Sequence, residues 1–130
     1  MSSFVLNGRL WNVIFADPES SWLIDKTRHH RLGVTDPSSR TIFLSDELRG
    51  RMLERVLLHE ISHAVMASYG LIDQIHVLAC RDRWSDAEEW VCNFIADYAA
   101  VILRAAYDIL GADAWMAVPY ELEKMIGVDR

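Results

Sequence analysis

Cysteine is scarce in this sequence. Cys80 and Cys92 are the only two among 130 residues, too few for the disulfide framework that holds small secreted domains together. No apolar run approaches the roughly 20 residues of a membrane span. The first residues, Met1 to Gly8, carry no basic segment leading into a long apolar stretch, so no signal peptide is expected. These absences predict a cytoplasmic chain with both thiols reduced. Positive charge is also in deficit, with 13 Lys and Arg against 19 Asp and Glu and a net charge of −6. A chain so poor in clustered cations is not expected to bind nucleic acid directly. Repeats, low-complexity tracts and linkers are absent too. What remains is globular: 52% hydrophobic and 25% charged residues, with length for one core, hence a single domain over residues 1–130.

The first third reads as strands and turns. Phe4-Val5-Leu6 and the run Arg9 to Phe15 flank Asn7-Gly8, the dipeptide best suited to a type I′ hairpin. Asp17-Pro18 breaks the pattern, and Glu19 to His30 carries no clear signal. Leu32 to Thr35 and Thr41 to Leu44 then flank the turn Asp36-Pro37-Ser38-Ser39. From Ser45 the spacing becomes helical. Ser45 is a candidate N-cap with Asp46 and Glu47 in the first turn. Apolar residues recur at Leu53, Val56, Leu57, Ile61, Ala64 and Val65, and Gly70 marks a stop. A second helix opens with the capping-box pattern Ser85-Asp86-Ala87-Glu88. Its apolar face runs through Trp90, Val91, Phe94, Ile95, Val101 and Ile102 to Gly111. A short third helix is expected from Pro119 to Gly127. The fold class is therefore α+β: a small N-terminal antiparallel sheet packed on two long helices.

The chemistry is concentrated in His59-Glu60-Ile61-Ser62-His63. Four residues make just over one helical turn, so both imidazoles leave one helix face about 6 Å apart along the axis. Two histidines so placed can share one small tetrahedral ion, and Glu60 is positioned to take a proton from water activated there. The competing reading is an amphipathic helix with two ordinary surface histidines. Against it stands the apolar context, Val56-Leu57-Leu58 before and Ala64-Val65 after, in which unpartnered polar groups are costly. A third ligand must come from elsewhere. On the second helix, Glu88 has a ready role as the capping partner of Ser85. Glu89 lies about 100° further round the helix and is uncommitted. Glu89 is therefore favoured over Glu88, with Asp97 third. Asn93, one turn beyond Glu89, could hold a ligating histidine through the ring nitrogen that a metal leaves free.

Leu57-Leu58-His59-Glu60-Ile61-Ser62-His63-Ala64 followed by Glu89-Trp90-Val91-Cys92-Asn93-Phe94-Ile95-Ala96 resembles the ImmA/IrrE-type metallopeptidases, a minimal gluzincin-like pattern. The resemblance extends from Leu32 to Leu103. It implies one zinc ion per chain on His59, His63 and Glu89, with Glu60 as general base, a protein or peptide substrate, and, as in short phage and mobile-element versions, cleavage of a regulatory protein such as a repressor. Ser62 stands where the family usually has glycine, and Ile95 where a smaller residue is common. Neither is a ligand.

The remaining candidates have plainer roles. His76 or Tyr98 could stabilise a developing oxyanion, but a surface histidine and a packed tyrosine are the favoured reading. His29-His30 reads as a solvated basic turn. Cys92 is read as a small buried apolar residue ahead of a thiolate ligand. Trp11, Trp22, Trp84, Trp90 and Trp115 are read mostly as core, with an exposed subset marking an interface. Two functions follow: a zinc endopeptidase, or a zinc-containing protein-interaction module without hydrolytic activity. The second has no need of Glu60.

Overall fold

The computed structural model describes residues 2–115. Chain contacts divide it into two compact units, Met1–Asp97 and Tyr98–Arg130. The helix expected from Pro119 to Gly127 lies outside the described residues.

The first unit opens with β1 (Ser2–Leu6) and β2 (Arg9–Ala16), paired antiparallel. Asn7 and Gly8 both take positive φ, 50° and 75°, the twist a two-residue type I′ turn demands. After a 3₁₀ turn at Ser21–Leu23 come β3 (Gly33–Asp36) and β4 (Thr41–Ser45), again an antiparallel pair. The sheet is four-stranded in the order β1-β2-β4-β3. It is α+β as expected but mixed, not antiparallel throughout, because β4 runs parallel to β2. The reason lies in the burial of β4: Thr41, Ile42, Leu44 and Ser45 are all buried. A strand with so little surface to leave in water takes an inner position. The crossover through residues 17–40 delivers it beside β2 in the same direction.

Helix α1 spans Gly50–Ser68. It begins later than Ser45 predicts, because Ser45 closes β4; its hydroxyl accepts only from the Glu47 amide in the turn that follows. Val56 and Ala64 of α1 close the core over Trp11, Val13, Ile42 and Leu44, with Leu53, Leu57 and Ile61 packed at its margin. Asn7 ties the β1–β2 turn to the far end of α1, donating its backbone amide to the Tyr69 hydroxyl and its side-chain amide to the Ser68 carbonyl. Gly70, in the left-handed region, turns the chain into a helix the periodicity did not announce, α2 (Leu71–Leu78). A 3₁₀ turn, Arg81–Arg83, leads into α3 (Trp84–Leu110). The second unit takes α3 from Tyr98 and a 3₁₀ turn, Gly111–Trp115. No helix among the described residues is long and apolar enough to cross a membrane.

The expected apolar face of α3 is corrected at two positions. Trp90 and Phe94 are exposed and stack on each other at 5.5 Å, while Cys92 between them is fully buried. Of the tryptophans, only Trp11 enters the core. Trp22 lies exposed against Phe43, Trp84 stacks on His76, and Trp115 is exposed.

Candidate metal centre

His59 and His63 lie on α1, and Glu88, Glu89, Cys92 and Asn93 on α3, all within the first unit. The helical period aims both rings at α3. Their Nε2 atoms stand 3.2 Å apart. Glu89 spans them, Oε2 at 3.1 Å from His59 Nε2 and Oε1 at 3.0 Å from His63 Nε2. The other nitrogen of each ring is also engaged: His59 Nδ1 meets Asn93 Oδ1 at 3.0 Å, and His63 Nδ1 meets Glu88 Oε1 at 3.0 Å.

These contacts set the tautomers. Both Asn93 Oδ1 and the Glu88 carboxylate accept, so each Nδ1 of a neutral ring carries the proton and each Nε2 presents its lone pair. Two lone pairs and a carboxylate then converge on one point. Such a cluster attracts a cation, a proton or a metal ion. The donor spacing fits a metal: nitrogen and oxygen ligands about 2.0–2.1 Å from a tetrahedral ion lie about 3.3 Å from one another, close to the observed 3.0–3.2 Å. The same field acts on the protons. Burial pulls the His63 pKa down, but its bonds to Cys92, Glu88 and Glu89 outweigh this and push it well up. Bonds to His59 and His63 hold the Glu89 carboxyl far below its usual range.

Glu60 sits on the inner side of this pair, buried. Its Oε1 and its backbone carbonyl both accept from Thr35 Oγ1, at 2.8 and 3.0 Å, and Oε2 is 3.9 Å from His59 Nε2. Burial raises its pKa, partly offset by the Thr35 bond and the histidines. Strand β3 comes this close because position 33 has no side chain: a Cβ there would lie 2.9 Å from both Glu60 Cγ and Val56 Cγ1. Ser62 is buried but satisfied, donating to the Leu58 carbonyl one turn back at 2.7 Å.

His59, His63, Glu60, Glu88, Glu89, Cys92 and Asn93 thus come together in the first unit. Asp97 pairs with Arg55. His76 stacks on Trp84 at 3.9 Å, and Tyr98 falls in the second unit. The His29-His30 turn is exposed and organised by Asp25, whose carboxylate accepts from Thr27, the His29 amide and Arg31. Glu88 does not serve the capping box: α3 already includes Ser85, and the carboxylate is spent on His63 Nδ1. Sequence reasoning missed two residues, Thr35 and Gly33, which carried no signal beyond their place in a strand, and it set a ligand role for Cys92 behind packing. Cys92 joins His59 and His63 in a group able to hold a metal ion, their donor atoms all within 4.8 Å of one another.

Compared with protein-family models the chain matches none, and no curated protein shows significant similarity to it.

Proposed function

We propose that the chain is a zinc-dependent endopeptidase of ImmA/IrrE-like type, acting in the cytoplasm on a protein or peptide such as a repressor. The observation that carries this reading is the convergence of His59 Nε2, His63 Nε2 and the Glu89 carboxylate within 3.0–3.2 Å, both rings oriented by acceptors at Nδ1. These three residues would hold the zinc ion, which when bound polarises a carbonyl and makes water acidic enough to attack near neutral pH. Glu60, raised in pKa by burial, takes the proton from the attacking water and passes it to the leaving amine. Thr35 fixes the orientation of that carboxylate through Oγ1. Asn93 and Glu88 keep the ligand rings from rotating. Strand β4 is paired on both sides. Strand β3, beside Glu60, is one of the two sheet edges, and an extended peptide adds there most directly.

The alternative, a zinc-holding interaction module, needs the same ligands but not Glu60. The discriminating experiment is digestion of a mixed peptide library, read by mass spectrometry, with wild type and Glu60→Gln. The account expects cleavage by wild type and a loss of about 10²–10⁴-fold in the variant, with zinc retained. Equal cleavage by both removes Glu60 from the mechanism. Zinc bound by both with cleavage by neither favours the interaction module.

A further inference from the structure

Cys92 is placed where a buried cysteine that merely fills space need not be. It lies three residues after Glu89 on α3, so the two share a helix face about 4.5 Å apart along the axis. Glu89 approaches the histidines from a half-exposed position and Cys92 from a fully buried one. Its Sγ and the histidine donor atoms lie within 4.8 Å of one another. A tetrahedral ion with a bond of about 2.3 Å to sulfur and 2.0–2.1 Å to nitrogen sets those atoms about 3.5 Å apart, so the sulfur has at most little more than 1 Å to close. Cys80, by contrast, is exposed and joins no such group among the described residues.

We propose that Cys92 is a fourth metal ligand, completing a His59–His63–Glu89–Cys92 set. The inference rests on the metal reading given above. Four protein ligands leave no open position, the arrangement of structural rather than catalytic sites. The sulfur would release its thiol proton to solvent on binding and would share that fourth position with water, so that it slows hydrolysis in the wild type without abolishing it. Glu89, on the solvent side, stays as the permanent carboxylate arm.

Cobalt titration reads this directly, because a thiolate on Co²⁺ gives a sulfur-to-metal charge-transfer band in the near ultraviolet that nitrogen and oxygen ligands do not. Metal-free protein is titrated with Co²⁺ alone. The Cys80→Ser chain leaves Cys92 as the sole sulfhydryl, so a band in that protein assigns the sulfur without altering Cys92. The proposal expects the band at one equivalent in wild type and Cys80→Ser, its persistence in Glu89→Gln, and its loss in Cys92→Ser. Cobalt affinity in Cys92→Ser should fall by more than the about 10–100-fold typical of losing an outer partner of a ligand. One equivalent of cobalt bound without a thiolate band overturns the role of Cys92 and leaves the His–His–Glu site standing. A wild-type chain that takes no cobalt overturns the metal site itself, and Cys92 with it.

Discussion

A carboxylate on the inner face of a helix loses its hydration, and Glu60 recovers one hydrogen bond, from Thr35, against a burial that raises its pKa. A residue under that strain is well suited to accept and release a proton near neutral pH. Thr35→Val should therefore raise the Glu60 pKa further. If the peptidase reading holds, the acid limb of its pH–rate profile should shift upward while zinc content stays constant; an unmoved limb would make Thr35 mere packing. Glu88 gives a second test at this scale. Glu88→Gln removes the charge at His63 Nδ1 but no ligand, so zinc affinity should fall by about 10–100-fold, whereas Glu89→Gln should fall well beyond that. Isothermal titration of both variants decides the order, and the reverse order would mean that the ligand register is off by one residue.

Elements set these residues in place, and they differ in how openly the sequence displays them. The Asn7-Gly8 turn was legible because only such residues accept positive φ at both positions. The facing of His59 and His63 was legible because it depends on the helical period alone. The parallel β2–β4 pairing was not, since Glu19 to His30 between the strands carries no clear signal and only the burial of β4 decides its place. Glu88 was misjudged for a related reason: a capping box is a local pattern, and the bond to His63 crosses 25 positions of chain. Gly33 shows the same limit, as its need for a bare Cα is set by α1. Gly33→Ala should force β3 away from Glu60 and destabilise the fold by about 1–3 kcal/mol, measured by urea unfolding. Leu44→Ala, deep in the core, should cost about 2–5 kcal/mol. An unchanged midpoint in both would mean that the sheet does not pack on α1 as described.

At the scale of the molecule, charge sets how stability depends on pH. Asp25 is hydrogen-bonded by Thr27 and Arg31 and titrates well below the ordinary carboxylate range. Because its folded pKa lies under its unfolded value, its contribution is present above about pH 4 and is lost as the pH falls below that. Asp25→Asn should therefore weaken stability at pH 7 more than at pH 3. On the proposed reading zinc would add to stability in the same sense, as a ligand of the folded state only. At free zinc about one hundred times its Kd, linkage adds about 2.7 kcal/mol, and a chelator should lower Tm by on the order of 10 °C. The most direct measurement is elemental analysis of the purified chain beside His63→Ala. The account predicts about one zinc per chain in the wild type and close to none in the variant; equal zinc in the two, or none in either, would contradict it.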